Sequence, residues 1–414
     1  MTGFSVLTTL RTGLGRFAAL AADPGVLRVG IPSAMARLPL GMTTLAVLLV
    51  VHQNSGSFGL AGLTTACFAL ASGLSSPVRG RLVDRLGATP ILLVTGSLQP
   101  VALVTIVGAG SWFGNELAVL AAAGVAGALL PPVGPVVRVL WQRLSTGALR
   151  EAAFSLDAVL LQVIYYGVGP PIVTGLAVLH SPALALYVIA GLTLAGTLAV
   201  ASAPASRAWP VVRQRPPLLG ALGAPGVPGV LIVVFASAAA IGTLEVAVTG
   251  FATEHHAGNL TGLLLAVLGF GSIVGGLWQG IRTGQRSLTV QYRIWLAAMT
   301  IGFVPLPWAP GLGVLAALLL LGGFSVAPAS IVQFRLIGAL APEGMMTEAF
   351  TWLLSASLAG TALGNALGGS AVEICGAGGA LLAPIALTAL AFVLSFVGGL
   401  RGSALDDANL TRVL

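Results

Sequence analysis

"GRLVDRLGATPIL", residues 80–92, gathers Arg81, Asp84 and Arg85 between Gly80 and Gly87. The runs on either side, 58–78 and 90–110, carry no charge at all. An amphipathic soluble helix spreads its charges along one face. Here they are confined to a short turn between charge-free runs of about 20 residues, the length that crosses roughly 30 Å of hydrocarbon. The stretch therefore reads as a loop joining two transmembrane helices, and the rest of the chain repeats the pattern.

Only 7% of the 414 residues are charged, 57% are hydrophobic, and the mean hydropathy is +1.00. A soluble domain carries about 25% charged residues. Backbone polar groups in lipid must be satisfied within the span, so the expected class is an all-α polytopic membrane protein. The formal charge of +7 is no sign of nucleic-acid binding: all 19 basic residues are Arg, scattered between apolar runs. No basic block with interleaved aromatics exists. Cys67 and Cys375 stand alone, without metal spacing or a disulfide framework. The four histidines, His52, His180, His255 and His256, fall at segment ends. Neither a metal site nor a cofactor is expected. Residues 1–23 hold no signal-peptide core; they read as a cytoplasmic lead-in.

Twelve runs are long enough to span: 26–51, 58–78, 90–110, 117–138, 152–178, 182–203, 228–252, 259–281, 289–309, 312–336, 348–372 and 378–400. With the N-terminus inside, 18 of the 19 arginines fall on cytoplasmic segments and none on the opposite loops. That is the positive-inside pattern, and it sets both termini in the cytoplasm. The segment "PASRAWPVVRQRPPLLGALGAPGVP", 204–228, reads as a Pro-, Gly- and Arg-rich linker. It divides the chain into a segment 1–23, a six-helix bundle 24–203, a linker 204–227, a second six-helix bundle 228–400 and a tail 401–414. An offset of 197 pairs Pro131 with Pro328, Arg138 with Arg335, Glu151 with Glu348 and Ala152 with Ala349. An offset of 200 pairs Leu60 with Leu260, Gly62 with Gly262, Leu63 with Leu263 and Gly80 with Gly280. The two halves read as a parallel repeat, an architecture of transporters whose substrate site lies between the repeats.

The opening stretch resembles the loop signature of the major facilitator superfamily: Gly80, three residues, Asp84-Arg85, one residue, Gly87. The basic pair that usually follows is replaced by Ala88-Thr89. The resemblance implies the major facilitator fold, twelve helices in two pseudo-symmetric six-helix bundles, with Gly80, Asp84, Arg85 and Gly87 as a conformational latch. The stretch "YYGVGPPIVTG", 165–175, is similar to the fifth-helix motif of drug/proton antiporters, matching it at Gly169-Pro170. The Arg that such exporters often carry in the fourth helix is absent from "AVLAAAGVAGALLPPVGP". Glu348 opens "EAFTWL", which looks like sugar- and metabolite-efflux members. Ala356, Gly360, Gly364 and Gly368 recur at every fourth position, a face for close helix packing.

A charge at mid-membrane costs about 2.5–3.5 kcal/mol on insertion scales and is a functional candidate by default. Arg37, in "MARLPLGM", is the arginine that marks no cytoplasmic edge. Asp157 lies in the fifth run and Glu245 in the seventh. None has a charged repeat counterpart, so none is required as paired scaffolding. In the resembled family helices 1 and 7 line the central cavity, which would place Arg37 and Glu245 on its two sides. Desolvation favours a neutral carboxyl, which suits a proton-coupling site that ionises in only one conformation. The partner of Arg37 is left open between Asp157 and Glu245. Gln162, Tyr165, Tyr166, Gln333, Trp352 and Asn365 are the substrate-binding candidates, polar points in a mostly apolar cavity. The expectation is a monomeric plasma-membrane secondary transporter, not an enzyme, moving a small organic solute by alternating access. Proton-coupled export is the leading mode, and proton-coupled import of a sugar or other nutrient the alternative. The partners are the solute, protons and the lipid bilayer.

Overall fold

The computed structural model describes residues 24–109, 116–209, 219–257, 260–281 and 286–397, with positions 15, 20 and 22. The tail 401–414, linker residues 210–218 and most of the segment 1–23 lie outside the described residues. Every one of the twelve apolar runs corresponds to helical structure, and no strand occurs among the described residues. The helices are α1 Pro24–Ser55, α2 Phe58–Leu86, α3 Ala88–Gly108, α4a Glu116–Ala128 and α4b Val133–Leu144. They continue with α5a Gly147–Gln162, a π-helical turn Val163–Val168, α5b Gly169–Leu179 and α6 Pro182–Ser202. The remainder are α7 Val227–Glu254, α8 Thr261–Ile281, α9 Leu288–Phe303, α10a Leu312–Gly323, α10b Val326–Leu340, α11 Met346–Ala380 and α12 Leu382–Val397. Among the described residues, nine spans are long and apolar enough to cross a membrane, three of them made of the broken pairs α4a–α4b, α5a–α5b and α10a–α10b. The helices α11 and α12 meet at a 90° bend, after a break at Gly376, whose φ of 70° interrupts α11. The helix α9 is shorter than the run expected at 289–309; it ends at Phe303 and gives way to a 3-10 turn, Leu306–Trp308.

By packing, the chain forms two compact units. The first holds Asp23–Leu144 and Val163–Arg215; its core lies among α1, α2, α3, α4a, α5b and α6, around Met42, Val50, Leu103, Ile106 and Leu186. The second holds Ser145–Gln162 and the chain from Pro216 on, with a core of Leu244, Phe251, Leu268, Phe303, Leu315 and Leu381. Residues 145–162 thus pack with the C-terminal helices rather than with the rest of 24–203. Side-chain bonds explain why: Ser155 Oγ donates to the Gly276 carbonyl at 2.7 Å and Gln162 Nε2 to Ser272 Oγ at 3.0 Å.

Glycines let the helices touch backbone to backbone, in matching places in the two units. In the first, Gly127 of α4a lies against the Phe68 carbonyl of α2; in the second, Gly323 of α10a lies against the Leu268 carbonyl of α8. The spans containing α4a and α10a also break at corresponding points, after Ala128 and after Gly323. The stripe on α11 has the same use: Gly360 and Gly364 rest on the Phe235 and Ala239 carbonyls of α7, and Gly368 on Thr243. Gly275 of α8 abuts the Phe324 carbonyl, leaving no room for a methyl group. Gly275→Ala should therefore destabilise the fold by about 1–3 kcal/mol, an overpacking cost that backbone atoms cannot relieve by rotating away. Gly262→Ala, with nothing within 4 Å of the new carbon, should be neutral. Thermal unfolding in detergent compares them; equal melting temperatures would refute the close approach.

Candidate functional site

The fourth span breaks where Pro131 and Pro132 supply no N–H donors, which strands carbonyls at the end of α4a. Two buried arginines of the first unit bracket this break. Arg79, 6% exposed at the end of α2, bonds the carbonyls of Gly127 (3.3 Å), Leu130 and Ser72 (2.9 Å). Arg37, fully buried in α1, donates from Nη2 to the Gly134 carbonyl at 3.2 Å. Arg79 is thus a buried helix clamp, not a solvated mark of a membrane edge. Arg138, also buried, sits one turn beyond Gly134, with Nη1 3.9 Å from where a Gly134 side chain would begin. Tyr165 lies within electrostatic reach of both Arg138 and Arg37.

Tyr165 and Tyr166 fall in the π-helical turn, a geometry that concentrates at functional positions. Its cause is visible in the sequence. Pro170 and Pro171 cannot donate back to residues 166 and 167, so the helix loses its regular ladder just before them. The Tyr165 side chain is 41% exposed; that of Tyr166 lies outside those described. The Gly169-Pro170 motif has a packing role as well. Gly169 rests on the Gly41 carbonyl (2.6 Å to its would-be side chain), and Gly41 on the Ile164 carbonyl, locking α1 to the π turn.

The loop that opened the sequence reading sits at the junction of α2 and α3. Gly87 takes φ 93°, a backbone geometry that side chains resist, and its N–H donates to the Val83 carbonyl at 2.9 Å. Gly80 and Asp84 are buried and Arg85 is exposed. Asp84 acts electrostatically on Arg143 at the end of α4b, and the Arg143 guanidinium stacks 4.6 Å from the Trp209 ring. Asp84 and Arg143 thus link α2, α4b and the segment around Trp209 within the first unit.

In the second unit, Asp157 is buried on α5a and Glu245 is half-buried on α7. Neither belongs to the same unit as Arg37. Among the substrate-binding candidates, Gln333 is committed: its Nε2 donates to Tyr292 Oη at 2.9 Å and approaches Ser237 Oγ at 3.4 Å. Gln162 is committed to Ser272. Asn365 is exposed, with Oδ1 2.8 Å from where a Gly242 side chain would begin. Trp352 is half-buried, and its indole Nε1 has no hydrogen-bond partner among the described residues.

A further polar network is not legible in the sequence. Glu151 Oε1, buried on α5a, accepts from Arg335 Nη1 at 2.8 Å and from Gln279 Nε2 at 3.2 Å. Gln279 in turn accepts from Trp295 Nε1 at 3.2 Å and reaches Gln291 Oε1 at 3.4 Å. The network joins α5a to α8, α9 and α10b. The signal for it was the 197-residue offset, which matched an Arg and a Glu in each half.

The family model described as Major Facilitator Superfamily matches residues 33–294. No curated protein matches the chain. Among solved structures, the human organic anion transporter MFSD10 (TETRAN) is similar at a TM-score of 0.72 and 17% identity, over 90% of this chain and 100% of that one. A bacterial homologue of the iron transporter ferroportin, in an outward-facing state, is similar at 0.73 and 14%, over 92% and 100%. The E. coli fucose:proton symporter FucP is similar at 0.70 and 12%, over 91% and 99%. At these identities the likeness is one of fold.

Proposed function

The chain belongs to the major facilitator superfamily, a family of membrane transporters, and from that premise we propose that it exports a small organic solute in exchange for protons by alternating access. The observation that carries the reading is the set of unrepeated charges inside apolar helices: Arg37 in α1, Asp157 in α5a and Glu245 in α7. Insertion penalises each of them, and none has a charged counterpart in the other sequence half, which supports a role beyond scaffolding. Glu245 is the leading coupling carboxyl, Asp157 the second candidate, and Arg37 the third charge of the proposed coupling set. Tyr165, Trp352 and Asn365 have exposed surface to offer a solute; Tyr166 is retained with them on sequence grounds. Gln162 and Gln333 are bonded to neighbouring helices, so they shape the wall rather than take the solute directly. The arginine distribution supports a plasma-membrane protein with both termini cytoplasmic, working as a monomer. The sequence halves 24–203 and 228–400 are the proposed repeats, and Gly80, Asp84, Arg85 and Gly87 the proposed latch. The Gly169-Pro170 match favours export; the similarity in fold to a fucose:proton symporter keeps import as the second reading.

Proteoliposomes loaded with a pH-sensitive dye separate the two. Solutes from a panel of organic anions, organic cations and sugars are added outside, and proton flux is followed as each enters. An antiporter sends protons out, so the lumen turns alkaline; that is the expected result. Acidification would establish symport in its place, and solute uptake with no proton movement would remove the coupling claim.

A further inference from the structure

Inside the first unit, α3 and α6 run antiparallel. Thr89 Oγ1 donates to the Ala201 carbonyl at 3.2 Å, and a side chain on Gly96 would begin 2.5 Å from Thr197 Cγ2. Continuing that register, Gln99, one turn along α3 from Gly96, comes level with Thr193, one turn along α6 from Thr197. All three side chains are sealed from solvent, with Gln99 at 0%, Thr197 at 0% and Thr193 at 2% exposure. Both ends of the Gln99 amide and both threonine hydroxyls are without hydrogen-bond partners among the described residues. This departs from the habit of the molecule. Thr43, Thr64, Thr95 and Thr105 each bond the carbonyl four residues back, at 2.6–2.9 Å. A further acceptor faces the same seam: Pro100 has no N–H, so the Gly96 carbonyl loses its helical donor, and Gly96 is the residue that touches Thr197.

Buried polar groups are almost always bonded, to protein or to ordered water. Four such polar atoms within about one turn of a two-helix seam, beside a proline that frees a carbonyl, make a built polar site. We infer that this seam is a buried hydration site, in which one or two water molecules bridge the Gln99 amide, the Thr193 and Thr197 hydroxyls and the Gly96 carbonyl. The chemistry selects water. A buried water makes about three hydrogen bonds and needs donors as well as acceptors, and the amide and hydroxyls supply both. A metal cation would meet two amide N–H donors and no carboxylate, and its charge would be buried uncompensated. The hydration site ties the Pro100 bend of α3 to α6 and is independent of the transport reading.

Gln99→Leu keeps the shape of the side chain and removes its polarity, so the sign of its effect decides. A bridged amide predicts a melting temperature lowered by about 4 °C or more in detergent-purified protein. A dry, orphaned amide predicts a rise, and a rise or no change overturns the proposal. Thr193→Val and Thr197→Val each predict a smaller fall, and these milder changes serve if Gln99→Leu does not fold. The double variant Gln99→Leu/Thr193→Val should lose less than the two singles together, because they share one bridge; additive losses count against it. An experimental structure resolving ordered solvent should show density within hydrogen-bond distance of the Gln99 amide. An amide turned directly onto either threonine, with no solvent between, would overturn the inference.

Discussion

Glu245→Gln is expected to abolish the pH-driven component of transport while leaving the fold in place. The substitution keeps size and hydrogen-bonding reach but removes the proton that the carboxyl can bind. The backbone around it is held without its side chain: the Glu245 carbonyl accepts from Thr249 Oγ1 at 2.7 Å, and α7 is held by glycine contacts with α11 at Gly242, Gly360 and Gly364. Thermal unfolding of the variant should therefore remain cooperative, and it separates loss of coupling from loss of fold. In proteoliposomes, net flux driven by a pH gradient should fall to that of protein-free vesicles. Exchange of labelled for unlabelled solute, which needs no net proton movement, should persist. If Glu245→Gln retained gradient-driven flux, the coupling role would pass to Asp157, with Asp157→Asn the variant to measure. Loss of both flux and exchange, with normal unfolding, would instead make Glu245 a solute ligand.

The division between what sequence could and could not reveal follows the range of the forces involved. Membrane spans were readable because burial in lipid imposes a composition on about 20 consecutive residues at a time, and each of the twelve runs holds helix among the described residues. The glycine stripe on α11 was readable because close approach selects small residues at a fixed period. The breaks in the fourth and tenth spans were not, although Pro131-Pro132 sits in one of them, because proline is tolerated in membrane helices when neighbours re-satisfy the freed carbonyls. Arg79 is that neighbour, and its role depends on a contact across 48 residues of sequence with Gly127. Counted by position, it was indistinguishable from a charge at a membrane edge. Arg37 makes a second contact of this kind: within its own unit it bonds the Gly134 backbone carbonyl, an acceptor every residue carries and no sequence advertises. Gln162 and Gln333 are polar points in apolar helices, a property shared by solute ligands and by the interhelical bonds that both make.

The same blindness to long-range pairs hid Glu151, and its removal should have the largest effect on stability. Glu151→Ala deletes the acceptor of two bonds at once, from Arg335 and from Gln279, and leaves the amide of a buried glutamine and part of a guanidinium without an anion. Breaking a buried ion pair from one side costs about 3–5 kcal/mol. The Glu151 side chain is 5% exposed but that of Arg335 is 24% exposed, so the cation can recover some hydration. The lower end of the range, about 3 kcal/mol, is therefore the expected loss, or a melting temperature lower by roughly 6–12 °C. Glu151→Gln should cost less, because its amide oxygen still accepts from Gln279. In Glu151→Ala/Arg335→Ala the stranded cation is removed with its partner, so the double variant should be more stable than the sum of the single losses predicts. The consequence is local first. The segment α5a enters the second unit through Glu151, Ser155 and Gln162, so loss of the first of these bonds should raise hydrogen exchange in 147–155 before it affects α7 or α11. A melting temperature for Glu151→Ala within about 2 °C of the parent would mean that the other contacts of the segment suffice to hold it, and that the ion pair contributes nothing measurable.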